Sequence, residues 1–437
     1  MLQVPQSEDK RRVGYVVETW SQLSETFIVN EVMALERLEV PLRIFSVDDA
    51  PPHEPTRSAD PGVADVRASL TRVSLGSHWA SAFKANWRVL RREPLRYGRA
   101  LFQAVRHPHW SSVRCFIEAA CLADSLSSEP VVHLHARSAT SPALVALFAH
   151  QLTGVPYSFA ANAQDICHDT PPNLLRAEVE RAQAVVTGTH SDKRSLLDRV
   201  SPAWYGKLHC IHHGIDPSRF SFLRPHSANG DPPVVLCVAK ADEKKGLQDL
   251  VVAADILRRR GCSFRFEIVT GRAVQQALES EVTSLGLEDW VRWVDAQPHE
   301  DICQAYQRAA ILAYSSAVPA HNGPGALPDV LLEAMASGVP VVSTRVSGMS
   351  ELIQSESDGL LVEPNRPEML ADALERLLTQ PELRQRLGLA ARAKIEAGFS
   401  IDQRSRRLLE LFGPEPVSKR SGRQEAAART AHCVHEV

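Results

Sequence analysis

The sequence predicts an α/β protein made of two doubly wound parallel sheets in tandem. Three observations lead there. Short apolar, β-branched runs alternate with helical stretches along both halves, a βα rhythm that produces parallel sheets. A run rich in Pro, Gly, Asn and Asp, FLRPHSANGDPP at 222–233, separates the halves. The length of 437 residues is too great for one ordinary core and suits two domains of roughly 200 residues each.

In the first half, Val13–Val17 reads as a strand, followed by a loop over 18–24 and a helix from Glu25 to Arg37 with Ser24 as its N-cap. Pro41–Val47 reads as the next strand and 48–77 as irregular. Residues 78–126 have helical spacing broken by Pro94 and Pro108, because proline cannot continue a helix interior. Val131–His135, Tyr157–Ala160, Ala184–Thr187 and Leu208–Ile211 read as short buried strands. In the second half the strands are expected at Val234–Val238, Phe264–Val269, Val291–Val294, Ile311–Tyr314 and Val341–Thr344, with helices between them. The expected division is a first domain over 1–225, a second over 226–398, a closing helix at 399–412 and a polar, disordered tail at 413–437. Both domains are expected to be Rossmann-like and to face each other across a cleft.

Composition excludes several function classes. A net charge of −3 and a pI near 6.6 argue against a nucleic-acid-binding surface. No run approaches ~18 uninterrupted apolar residues, so no membrane-spanning helix is expected. The start, MLQVPQSEDKRR, lacks an apolar signal region, and the eight cysteines form no C-x-x-C pair. A cytoplasmic protein with reduced thiols is the expectation, placed at the inner face of the membrane if residues 83–114 dock there. That segment sets Lys84, Arg88, Arg91, Arg92, Arg96, Arg99, Arg106 and Arg114 against Glu93 alone, interspersed with Phe83, Trp87, Tyr97, Phe102 and Trp110. Such a mixture suits an anionic lipid surface; it equally suits an ordinary helical face whose aromatics pack inward.

The most informative stretch is 327–353, LPDVLLEAMASGVPVVSTRVSGMSELI. It reads as a helix carrying Glu333, a buried strand, and a turn at Ser347-Gly348 that opens another helix. Open α/β sheets bind nucleotides at such carboxyl ends, where free backbone N–H groups meet anions. VAKADEKKGL at 238–247 places Lys240 and Lys245 just after a strand, which suits a diphosphate or merely a solvated helix start. WSQLSETFIVNEVMALE at 20–36 offers Ser24 and Glu25 as either an anion-facing platform or a plain cap. YSFAANAQDICHD at 157–169 follows a strand with Asn162 and Asp165, and VVHLHARSAT at 131–140 carries His133 and His135, expected at a strand end in the cleft. No G-x-G-x-x-G or P-loop pattern is present. Metal sets drawn from His133, His135 and His168, or from Cys210, His212 and His213, match no structural zinc spacing. No metal and no cofactor are therefore expected.

Together these segments resemble retaining GT-B glycosyltransferases, particularly family 4 members of polysaccharide assembly, over roughly 12–412. The resemblance implies that Lys240 and Lys245 hold and stabilise the leaving diphosphate of a UDP- or GDP-sugar. It implies that Glu333 binds the donor ribose, and that backbone groups at Gly348 and Met349 meet phosphate. Asn162 would touch the transferred sugar, with His135 and Asp165 near sugar or acceptor, and with Ser24 and Glu25 on the donor side. Three positions depart from the pattern: Gly325 stands where the family has a glutamate, Asn162 where it has a histidine, and Lys240 where it has an arginine. The implied function is transfer of a hexosyl unit, with retention, to a glycan linked to a lipid such as polyprenyl diphosphate. The alternative is a degenerate protein of the same fold that binds a nucleotide sugar or a partner without turnover.

Overall fold

The computed structural model describes residues 12–20, 26–47, 66–73, 79–106, 110–163, 165–222, 232–238, 244–295, 299–316, 327–346 and 348–413. The first domain runs β1 (Val13–Val17), α1 (Thr26–Arg37), β2 (Leu42–Ser46), β3 (Ser69–Arg72), α2 (Trp79–Arg92), α3 (Pro94–Arg106) and α4 (Trp110–Ser128). It continues through β4 (His133–Ala136), α5 (Ser141–Thr153), β5 (Tyr157–Ala161), α6 (Pro172–Arg181), β6 (Ala184–Thr187), α7 (His190–Arg199) and β7 (Leu208–Cys210). These seven strands form one parallel sheet in the order β3-β2-β1-β4-β5-β6-β7.

The second domain runs β8 (Val234–Val238), α8 (Lys244–Arg259), β9 (Arg265–Thr270), α9 (Arg272–Ser284), β10 (Val291–Asp295), α10 (His299–Arg308) and β11 (Ile311–Tyr314). Then come α11 (Asp329–Ala336), β12 (Val341–Thr344), α12 (Met349–Leu352), β13 (Leu360–Val362), α13 (Pro367–Thr379) and α14 (Pro381–Gly398). Its six strands are also parallel, ordered β10-β9-β8-β11-β12-β13. Each sheet is covered on both faces, so central strands such as β1, β5, β6, β11 and β12 are buried throughout and stand out as largely apolar runs. Alternation still sorts the side chains: Val16 joins the core under α4 and α5, whereas Tyr15 and Val17 join the one under α1.

The last helix, α15 (Ile401–Phe412), returns to the first domain. The crossing is fixed where Ile215 pairs with Ser400: Ile215 N–H donates to Phe399 O at 2.9 Å and Ile401 N–H to Ile215 O at 2.8 Å. Leu408 and Phe412 then pack with Val13, Tyr15 and Val17. Burying each contributes about 1.5–3 kcal/mol. Arg404 on α15 pairs with the fully buried Glu31 of α1 and also donates to the carbonyls of Ile211 and His212 at 2.8 Å each. Arg137 lies 3.6 Å from the same carboxylate. Phe220, ahead of the expected boundary, already packs in a second-domain core.

Two strands escaped the sequence reading. β3 lies within the span expected to be irregular; it is a polar, largely exposed edge strand paired with β2 from Arg43↔Ser69 to Ser46↔Arg72, and shows no apolar alternation. β13 is three residues long, too short for any period to register. Residues 414–437, expected to be a disordered tail, lie outside the described residues.

Candidate active site

The strand order of the second sheet reverses direction between β8 and β11, and there the helices that follow the two strands diverge to opposite faces. This is the crevice in which open α/β sheets receive ligands. Its floor is tightly built. A Cβ on Gly246, in the first turn of α8, would sit 1.7 Å from the carbonyl oxygen of Ser315, just beyond β11. Only glycine lets the start of α8 come this close to the end of β11. Thr344, at the end of β12, hydrogen bonds through Oγ1 to both Ser316 N and Ser316 O at 2.9 Å, locking the strand ends together. The orphan N–H groups of the first turn of α8 and the carboxyl ends of β8, β11 and β12 thus meet in one place.

Glu333 sits in the middle of α11 and is almost buried, at 9% exposure. Its Oε2 accepts a hydrogen bond of 2.8 Å from the hydroxyl of Tyr306 on α10. Burial, and then the neighbouring Glu333 charge, push the Tyr306 phenol well above its ordinary range, so it stays a donor. The carboxylate is therefore held in one orientation as a hydrogen-bond acceptor. Gly348, with φ of +82°, turns the chain left-handed before α12, a conformation that costs glycine little. Met349, the first residue of α12, is buried at 2% exposure, and its backbone N–H already donates to Val346 O at 3.1 Å.

On the first domain, Asn162 follows β5 directly and is exposed. Its Oδ1 accepts from Asp165 N–H at 3.1 Å, while Asp165 Oδ2 accepts from Asn162 N–H at 3.3 Å and from Ala139 N–H at 3.2 Å. This reciprocal pair opens the π-helical turn Asp165–Asp169. The Nδ2 group of Asn162 has no hydrogen-bond partner among the described residues and is available to an incoming hydroxyl. Burial pushes the Asp165 carboxyl up to about 6, although its backbone hydrogen bonds oppose the rise.

His135, expected to touch sugar or acceptor from a strand end, is instead sealed inside the domain. His133 and His135 both lie within β4, fully buried, at 2.8 and 2.9 Å from the single hydroxyl of Ser158. Phe412 of α15 covers them, with ring centroids 4.9 and 5.2 Å away. Burial pushes both imidazoles down to about 3, so they are neutral core residues. The correction has a simple cause: histidine alternating with leucine does not reveal that another helix will cover the strand. Ser24, Glu25, Lys240 and Gly325 lie outside the described residues, as does the side chain of Lys245, whose backbone lies in the first turn of α8.

Two residues were not singled out by sequence. Tyr306 carried no local signal, since its role depends on α10 packing against α11. Glu351 lay in the VSGMSE run but received no role. Its carboxylate reaches into the first domain and accepts from His190 N–H at 2.8 Å and Ser191 N–H at 3.1 Å, capping α7. His212 Nε2 lies 2.9 Å from the same group. Burial would raise the Glu351 pKa, but these hydrogen bonds outweigh it and hold the carboxyl below its ordinary value.

Two parallel, doubly wound domains, with the second sheet's crevice carrying an oriented carboxylate and an open helix start, define a GT-B protein. Solved structures of that fold superpose on nearly the whole chain. Sucrose-phosphate synthase from Thermosynechococcus elongatus covers 96% of this chain and 100% of its own, with a TM-score of 0.67 at 18% identity. HepE of Anabaena in complex with UDP and glucose covers 92% and 98%, with a TM-score of 0.65 at 14% identity. Residues 218–394 match the family model for glycosyl transferases group 1. The architecture is thus the GT-B fold, and the second domain is similar to glycosyl transferases group 1. An amylovoran biosynthesis glycosyltransferase of Erwinia amylovora is 34% identical over 206 residues, covering 47% of this chain and 50% of that protein. The chain spans about half the length of such curated relatives.

Proposed function

We propose that the protein transfers a hexosyl unit from a UDP- or GDP-sugar to a growing polysaccharide, with retention of configuration. The observation that carries this reading is the Glu333 carboxylate oriented by Tyr306, together with the start of α8 packed through Gly246 on the end of β11. A fixed carboxylate suits two ribose hydroxyls, and a helix start suits a diphosphate. Lys240 and Lys245 would supply the positive charge that stabilises the departing diphosphate, and the turn at Gly348 would add backbone donors. Ser24 and Glu25 fall on the donor side. Asn162 would present its Nδ2 to the sugar, and Asp165 would hold the turn that carries it. The bond from the anomeric carbon to the diphosphate breaks, a new bond to the acceptor oxygen forms on the same face, and the acceptor proton passes to the leaving phosphate. No protein nucleophile, metal or cofactor is required.

The acceptor side of the proposal is a lipid-linked glycan at an anionic membrane surface, with the protein acting from the cytoplasm. Helices α2 and α3 support it by exposing large apolar side chains, among them Trp79, Phe83, Leu95 and Phe102, the last two at 76% and 68%. Lys84, Arg91, Arg99 and Arg106 on the same helices have no acidic partner among the described residues, and the Arg91 guanidinium stacks on Trp87 at 4.9 Å. No helix among the described residues is long and apolar enough to cross a membrane. Peripheral contact is the mode such a surface fits.

Titration with UDP and GDP, followed by hydrolysis and transfer assays over a panel of UDP- and GDP-sugars, tests the reading. Binding that Glu333→Ala abolishes, together with turnover of one donor, is expected. Binding without turnover for any donor would favour the degenerate alternative, for which Gly325 and Asn162 are the grounds. Failure to bind either nucleotide would overturn both. Flotation with anionic vesicles, lost in a Trp79→Ala, Phe83→Ala double variant, tests the membrane contact; equal flotation of that variant removes it.

A further inference from the structure

We propose that His190, Cys210, His212 and Glu351 bind one zinc-class divalent ion that ties the two domains together. His190 opens α7, Cys210 ends β7, His212 lies in the segment leaving it, and Glu351 belongs to α12 of the second domain. One donor atom from each, four in all, lie within 4.8 Å of one another. Glu351 Oε2 is 2.9 Å from His212 Nε2, and Cys210 Sγ is 3.9 Å from that nitrogen. A tetrahedral zinc centre with bonds of roughly 2.0–2.3 Å needs donors roughly 3.3–3.8 Å apart. The donor separations, from 2.9 Å to at most 4.8 Å, span that range, so modest side-chain rotations would bring the set onto one ion.

The donor chemistry selects the metal. Two imidazoles, a thiolate and a carboxylate suit a borderline-soft ion such as Zn²⁺, whereas Mg²⁺ and Ca²⁺ call for oxygen donors alone. The supports that orient metal ligands are also present. Backbone N–H groups of His190 and Ser191 hold the Glu351 carboxylate. Phe399 lies against the His212 ring with centroids 5.3 Å apart, and the His190 ring meets it edge-on at 5.8 Å. His190 is exposed and the other three are half-buried, which leaves a path for the ion to enter. On binding, the thiol proton is released, the His212 imidazole carries its proton on Nδ1, and the ion takes the place between Nε2 and the carboxylate. Two negative ligands then balance the dication. By sequence Cys210 and His212 neighbour His213; the fold instead supplies His190, together with Glu351, which is 139 residues from His212 in the chain. The site is independent of the proposed sugar transfer, since metal binding is read without turnover.

The test uses the full-length chain stripped by a chelator and titrated with Co²⁺. One equivalent should give the visible bands of a tetrahedral centre with a thiolate-to-cobalt charge-transfer band, and Zn²⁺ should displace it. Cys210→Ser, a near-isosteric change, should abolish the charge-transfer band, and His212→Ala should weaken binding by at least about tenfold. Zn²⁺ should raise the melting temperature of the parent chain and not of Cys210→Ser. Cys433→Ser controls for the His432-Cys433-Val434-His435 segment and should change nothing. No binding by the stripped chain would overturn the proposal. So would a charge-transfer band that survives Cys210→Ser or vanishes in Cys433→Ser.

Discussion

The hydroxyl of Tyr306 donates to Oε2 of Glu333 at 2.8 Å, so the carboxylate assigned to the donor ribose is positioned from a neighbouring helix. Tyr306→Phe removes this donor while keeping the ring. Hydrogen bonds to charged groups contribute about 1.5–3 kcal/mol, and part of that should appear as weaker nucleotide affinity. Calorimetric titration with UDP and GDP should show a loss of at least severalfold in Tyr306→Phe and a larger one in Glu333→Ala. Unchanged affinity in both variants would remove α11 from the site.

Gly246 admits no side chain, because an added Cβ would lie 1.7 Å from Ser315 O. Gly246→Ala must push the start of α8 away from β11. Overpacking of this kind costs about 1–3 kcal/mol, and more where backbone is the obstacle. Urea denaturation should show the loss, and nucleotide titration should show weaker binding in the fraction that folds. A variant with unchanged stability and affinity would contradict the close packing.

Glu31 and Arg404 hold α15 on the first domain from opposite ends of the chain. Removing one partner leaves a buried charge uncompensated, so Arg404→Ala should cost about 3–5 kcal/mol. Burial alone would raise the Glu31 pKa, but Arg137 and Arg404 outweigh it and hold the carboxyl well below the usual carboxylate range. The contribution is thus complete above the unfolded value of about 4.3 and is lost as pH falls below it. The urea midpoint should drop in that acid range, and less steeply in Glu31→Gln.

Asp165 titrates with the opposite sign. Burial pushes its carboxyl up to about 6, so the native state binds more protons than the unfolded state between about pH 4 and about pH 6. Stability from this group is present at the acid end of that window and is lost as pH rises through about 6. Asp165→Asn keeps an oxygen to accept from Asn162 N–H or Ala139 N–H, so it should flatten this part of the urea profile. An unaltered slope would show that the carboxyl is not the source.

Most of the architecture was legible because periodicity is local. Val13–Val17, Ala184–Thr187, Val234–Val238, Ile311–Tyr314 and Val341–Thr344 are buried on both faces, so each stands out as an apolar run. Edge strand β3 was not legible, because one side of it meets solvent and its residues are polar. In the candidate site Glu333 could be read from its surrounding run, whereas Tyr306 could not.

By itself the sequence determined the succession of βα units and the helix–strand–turn order around Glu333, since each depends on neighbours a few residues apart. Only the tertiary structure decided that Phe412 would cover His133 and His135. It alone placed Tyr306 on Glu333, Gly246 against Ser315, and Glu351 beside His190, Cys210 and His212. Those relationships arise when distant segments pack together to bury apolar faces and satisfy buried polar groups, and no local spacing in the chain encodes which segments will meet.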